Sequence, residues 1–163
     1  MIKGVVSVEP GYAIGKGDAS SLDHAPSYEE ICTGETNYVE VAKIEYDPAQ
    51  TKLRDLLTVF FASHDPTTLN RQGNDIGTQY RSAIFYENEE QKAESEKIIE
   101  EINNSTTEGD RVATEVAELD KFYPAEDYHK DYFAKNPDKG YCAVVIAPKV
   151  AKIQKEFAEL LNK

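Results

Sequence analysis

Arg71-Gln72-Gly73-Asn74-Asp75-Ile76-Gly77-Thr78-Gln79-Tyr80-Arg81-Ser82 joins two segments of opposite periodicity. Before it, Leu53, Leu56, Leu57, Phe60 and Phe61 recur at helical spacing and form one wide apolar face, and Asp65-Pro66 ends that pattern. After it, Ala83-Ile84-Phe85-Tyr86 reads as a strand. The connection holds no Lys, Glu or Pro. Two of its glycines bracket an acid, and a phenol follows closely. A long polar connection anchored to two buried elements is where binding and catalytic groups tend to sit. Working outward, helices and strands interleave along the whole chain, which places it among single-domain α+β or α/β proteins.

On the N-terminal side, Val5-Val6-Ser7-Val8 reads as a strand closed by Pro10-Gly11. Met1-Ile2-Lys3-Gly4 has the pattern of a last helical turn with Gly at the left-handed position. Tyr28 to Cys32 is a helical turn stopped by Gly34, and Val39–Tyr46 alternates as a strand stopped by Asp47-Pro48. Thr51 is placed to cap the helix that carries Leu53. On the C-terminal side, Asn88 starts a mostly charged helix to about residue 103, with Ala93, Ile98, Ile99 and Ile102 inward. A strand is expected over 112–116. A helix should follow Pro124, with Glu126 and Asp127 in its first turn, and stop at Asn136-Pro137. Ala143-Val144-Val145-Ile146 reads as a short buried strand, and Val150, Ile153, Phe157, Leu160 and Leu161 as a last amphipathic helix.

The 163 residues carry 30 acidic and 18 basic side chains, a net charge of −12. That argues against nucleic acid and anionic membranes as partners. No apolar run approaches the roughly 18 residues of a membrane-spanning helix, so a cytoplasmic protein is expected. Two cysteines, Cys32 and Cys142, do not make a disulfide framework. Cys32, between Ile31 and Thr33, is expected to be a buried, inert thiol. Cys142 follows Asn136-Pro137-Asp138-Lys139-Gly140-Tyr141. It is either an accessible thiol in a mobile loop or the first residue of a strand. Glu126 and His129 have the spacing of half a metal site, but no second pair accompanies them, so no metal is expected. His64-Asp65 reads as a helix-end contact and a turn. Alternation puts Glu40 with Ala42 and Ile44 on one strand face, opposite Val39 and Val41. Glu40 is either a carboxyl with a raised pKa at the edge of a buried face or an edge charge in water. The tyrosines, ten in all, are either packing or a cluster that hydrogen-bonds a polar substrate oxygen.

Several segments together resemble the type A peptide methionine sulfoxide reductases. They are Gly4-Val5-Val6-Ser7-Val8-Glu9-Pro10-Gly11-Tyr12, Tyr28-Glu29-Glu30-Ile31-Cys32-Thr33-Gly34, Tyr46-Asp47-Pro48 and His64-Asp65-Pro66-Thr67-Thr68-Leu69-Asn70 running on to Ser82. Phe122-Tyr123-Pro124-Ala125-Glu126-Asp127-Tyr128-His129 and Asn136-Pro137 complete them. The resemblance covers nearly the whole chain as one domain, residues 1–163. It implies an α+β fold with a mixed sheet flanked by helices around a ferredoxin-like core. It implies a cofactor-free, monomeric oxidoreductase that repairs oxidised proteins under oxidative stress. The implied substrate is methionine-S-sulfoxide, free or in proteins, and the implied reductant is thioredoxin. Carried over by position, the proton donor falls on Glu40, with Tyr28, Tyr80 and Asp75 around the sulfoxide oxygen and Cys142 as the resolving thiol.

The sequence departs from the family at two places. The family's attacking cysteine lies in a Gly-Cys-Phe-Trp-Gly motif, and this sequence has neither that motif nor any Trp. The expectation is therefore that a first strand and a helix carrying the nucleophile are missing ahead of Met1. The 163 residues alone should then show little or no reductase activity, as a sulfoxide-binding module or relic would. The family's Thr-Gly-His-Ala-Glu reads Thr36-Asn37-Tyr38-Val39-Glu40 here, with Asn37 in place of a glycine. A two-carboxylate hydrolase built on Glu40 and Asp75 is a third class of reading. It leaves the tyrosines and the thiols without a role.

Overall fold

A computed structural model describes residues 1–105 and 109–162. Four strands make the main sheet: β1 (Val5–Gly15), β2 (Val39–Tyr46), β5 (Ala83–Tyr86) and β6 (Glu115–Pro124), in the order β2-β1-β6-β5. The β1–β2 and β1–β6 pairs are antiparallel and the β5–β6 pair is parallel, so the sheet is mixed. A two-residue hairpin, β3 (Arg71–Gln72) and β4 (Asp75–Ile76), stands apart from it. The helices are α1 (Tyr28–Ile31), α2 (Leu53–Ser63), α3 (Glu89–Ser105), α4 (Tyr132–Lys135) and α5 (Ala147–Glu156). The expected class, one α+β domain with a mixed sheet flanked by helices, is what is found.

The core lies where β1 meets α1. Tyr12, Ile14, Ile31, Tyr38 and Ala125 are buried together, with Tyr28 and Tyr123 packed against them. Ser27 caps α1 in a reciprocal box: its Oγ accepts from the Glu30 amide, and the Glu30 carboxylate accepts from the Ser27 amide at 2.9 Å. Gly34 closes the turn at φ 74°. Leu56 and Leu57 are the buried part of the α2 stripe. Arg54 ties α2 to α3 through Glu94, at 2.9 Å, and Glu101.

Several elements differ from the sequence reading. β1 does not stop at Pro10-Gly11 but runs on to Gly15. Pro10 is tolerated because it sits at the end of the β6 ladder: its carbonyl accepts from Ala125 N at 2.9 Å, and no partner for a proline N–H is needed there. The α2 cap is Lys52, with Thr51 buried before it. In α3, Ser95 takes an inward place at 1% exposure by donating to the Gln91 carbonyl, whereas Ala93 faces out. The strand expected over 112–116 begins later, at Glu115, and continues to Pro124, so Pro124 ends a strand instead of starting a helix. A 3₁₀ turn, Asp127–His129, and the short α4 come after it. The run Cys142–Ile146 is a π-helical turn leading into α5 rather than a strand. Gly4 does adopt the left-handed conformation, at φ 76°, while Ile2 pairs with Leu161 in an isolated bridge.

Candidate active site

The long connection of residues 71–82 is folded tightly onto the start of β2. Thr78 Oγ1 donates to the Gly34 carbonyl at 2.6 Å. The Arg81 guanidinium donates to the carbonyls of Thr78 and Asn37, each at 3.1 Å, and to Glu115 at 2.8 Å. One side chain thus fixes the turn bearing Tyr80 against the residues that lead into Glu40. Asn37 sits at φ 62°, the positive value expected of a residue replacing glycine, and its side chain donates to the Ala19 carbonyl at 2.6 Å.

Gly77 combines φ 154° with ψ 158°, a region open only to glycine. A Cβ there would lie 2.2 Å from Gln79 Oε1, a buried oxygen with no hydrogen-bond partner among the described residues. Gly77→Ala is expected to destabilise the fold by about 1–3 kcal/mol through this overlap and the backbone strain. Thermal unfolding checks it, and an unchanged melting temperature would show that the connection is not held as described.

Glu40, Asp75, Tyr28 and Tyr80 line one open cleft of about 1220 Å³ together with Tyr128, His129 and Tyr141. Residues of β2 and β5, the two edges of the sheet, line it, and Leu53, Leu56 and Phe60 of α2 contribute apolar surface. Glu40 is thus accessible to water in the cleft while protein atoms crowd its carboxyl. Burial first, and the charge of Asp75 second, raise its pKa above the ordinary 4.5. Both readings of Glu40 are partly right: it faces water, yet it is shifted toward the protonated form.

The phenols are held protonated as well. Tyr28 is raised first by the Cys32 sulfur beside it, then by burial, with Tyr80 and Glu40 adding to the shift. Tyr80 is raised by burial and then by Glu40. Tyr141 is raised by burial and by Asp75, to whose Oδ2 it donates at 3.3 Å. Raised-pKa hydroxyls are donors at neutral pH and so suit an acceptor oxygen.

Both cysteines differ from the sequence reading. Cys32 is exposed and lies close to Tyr28, so the expectation of a buried, inert thiol is corrected. Ile31 takes the interior position at 0% exposure, and the next residue of the turn points outward. Cys142 is not an accessible thiol in a loop: it is 0% exposed, because the loop ends in the helical turn that encloses it. Glu126 is a structural clamp. Burial opposes its charge, but the Tyr12 hydroxyl at 2.7 Å and the Tyr28 amide at 2.8 Å lower its pKa. No cluster of three or more potential metal ligands occurs among the described residues. Arg81 and Tyr141 were not singled out from sequence. Tyr141 was one of many tyrosines, and Arg81 stood out only by its place in the connection.

The sequence as a whole matches a known group. The model of the peptide methionine sulfoxide reductase family matches residues 1–161. The chain belongs to the peptide methionine sulfoxide reductase family. The peptide methionine sulfoxide reductase MsrA of Acinetobacter baumannii (strain AYE) is 48% identical over 161 residues, covering 99% of this chain and 88% of that protein. Mxr1 from Saccharomyces cerevisiae in reduced form superposes with TM-score 0.76 at 39% identity, over 85% of this chain and 76% of Mxr1. Mxr1 in complex with Trx2 aligns at TM-score 0.51 and 27% identity, over 74% of this chain and 62% of that one. Methionine sulfoxide reduction is therefore the chemistry of the family to which this chain belongs. None of its described helices is long and apolar enough to cross a membrane.

Proposed function

We propose that the cleft binds methionine-S-sulfoxide, free or in proteins, and handles its oxygen during a thiol-dependent reduction to methionine. The observation that carries this is Glu40. It is a carboxyl held toward its protonated form, in one cleft with Asp75, Tyr28 and Tyr80. A sulfoxide oxygen is a strong acceptor and must be protonated before its bond to sulfur breaks. Glu40 supplies that proton. Tyr28 and Tyr80 hold and polarise the oxygen, and Asp75 keeps Glu40 shifted upward. In the reaction a thiol attacks the sulfoxide sulfur, oxygen passes to the thiol, and methionine and a sulfenic acid result. A second thiol converts the sulfenic acid to a disulfide with loss of water. Cys142 is assigned that second role, which requires its helical turn to open. Thioredoxin then reduces the disulfide by exchange, and the complex of the yeast relative with Trx2 supports that choice of partner.

A second reading, a sulfoxide-binding module without turnover, is favoured by the cysteine inventory. The sequence contains Cys32 and Cys142 but no Gly-Cys-Phe-Trp-Gly segment. The test is dithiothreitol-driven reduction by the 163-residue protein, run beside calorimetry with the two sulfoxide epimers. Binding selective for the S-epimer with at most trace turnover is expected. Failure to bind either epimer would remove the proposal. Robust turnover that is lost in Cys32→Ser would assign the attack to Cys32, which stands beside Tyr28, and would end the second reading.

A further inference from the structure

A second cleft, of about 490 Å³, opens beside the first, and His64 and Gln72 line both. Its charge is opposite to that of the molecule. Lys149 and Lys152 on α5 and Arg71 on β3 converge on it, in a chain of net charge −12. Among the described residues none of the three has an ion-pair partner, although other Lys and Arg side chains do. Among the described residues the Arg71 side chain donates within its own hairpin, from Nε to the Gly73 carbonyl at 2.6 Å. Asp65 also lines the cleft, but its Oδ1 is occupied by the amide and hydroxyl of Thr67, at 3.0 and 2.7 Å. His64 adds no charge. Burial lowers its pKa, and its ring nitrogens are engaged by the Phe60 carbonyl and Ser82 Oγ, each at 2.7 Å. The hydrogen bonds from Thr67 hold Asp65 in its charged form, so the three cations face one carboxylate, and an anion placed among them reduces the positive charge left over.

The hairpin connects this cleft to the sulfoxide site. Gln72 pairs with Asp75 and Arg71 with Ile76, so the acid and the arginine lie on neighbouring rungs. Side chains on neighbouring rungs point to opposite faces, so Asp75 is turned to the first cleft and Arg71 to the second, and Gln72, lining both, marks where a substrate chain would cross between them. Lys149 and Lys152 follow at i, i+3 on one face of α5.

We propose that this cleft is a specificity subsite that takes an acidic side chain flanking the methionine sulfoxide of a polypeptide substrate. It rests on the reading of the first cleft as the sulfoxide site. The experiment is calorimetry on the 163-residue protein with peptides containing methionine-S-sulfoxide. The peptides differ only in Asp, Asn or Lys two residues away, on either side. On one side at least, the Asp peptide is expected to bind about 5-fold tighter than the Asn peptide, with the Lys peptide weaker still. The differences should shrink as salt is raised. The double variant Lys149→Glu, Lys152→Glu should reverse the order of the Asp and Lys peptides and leave the Asn peptide unchanged. Equal binding of all three by the unaltered protein overturns the subsite while the sulfoxide cleft stands. So does an order that the double variant leaves intact. If the Asn peptide binds no better than its unoxidised form, the sulfoxide reading fails and the subsite falls with it.

Discussion

Glu40→Gln is expected to lower sulfoxide turnover by about 10²–10⁴, the usual loss when a general acid is removed. The assay uses a fusion that places a strand and a Gly-Cys-Phe-Trp-Gly segment, the motif of the family's attacking cysteine, ahead of the 163 residues. Gln keeps the size of the side chain and can donate a hydrogen bond, but it has no proton to transfer. Binding should therefore change little while kcat falls, which separates proton donation from positioning. The pH profile adds a sign. Burial and the neighbouring Asp75 hold the Glu40 pKa above 4.5, and the donor is the protonated form. Turnover should fall as pH rises through that raised pKa, and this limb should vanish in the Gln variant. Near-unaltered rates in Glu40→Gln would take Glu40 out of the mechanism.

In the same fusion, Cys142→Ser should give one product per enzyme and then stall with thioredoxin as reductant. The first thiol alone converts sulfoxide to methionine and ends as a sulfenic acid. Thioredoxin acts by exchange on a disulfide, which needs a second sulfur within bonding distance. Cys142 is enclosed at the start of a π-helical turn, so its use requires that turn to unwind. π-Helical turns are rare and recur at functional sites, and Gly140 just before it has open space around its Cα. A rapid burst and then arrest is the expected trace. If Cys142→Ser cycles normally and Cys32→Ser stalls, the two cysteines exchange roles. The exposure of Cys32 makes that outcome a sharp control.

Legibility in the sequence followed local physics. β2 was readable because alternation and the Asp47-Pro48 stop agree, and its observed span, Val39–Tyr46, is the one expected. Glu40 was singled out by its strand neighbours, Asp75, Tyr28 and Tyr80 only by the family resemblance, and the four line one cleft. β6 was misplaced because Glu118, Asp120 and Lys121 interrupt its apolar pattern. These residues lie on a strand only partly buried, so its pairing with β1 and β5 is not written in hydrophobicity. The Cys142–Ile146 run failed for a different reason. Short apolar runs do not distinguish a buried strand from a helix turn, and Val144 proves 75% exposed. Cys32 was misjudged because neighbours in sequence do not share a face: Ile31 points in and Cys32 out. Arg81 could not be recognised as the clamp on Asn37 and Thr78 without the long-range contact itself.

The most direct test of the central claim, that Glu40 protonates a bound sulfoxide oxygen, is a ¹³C NMR titration of its side-chain carboxyl in the 163-residue protein. The expected result is a pKa above 4.5 that rises further when methionine-S-sulfoxide is added and does not respond to methionine, because only the protonated carboxyl can donate to the sulfoxide. A Glu40 that titrates near 4.5 and ignores the sulfoxide would contradict it.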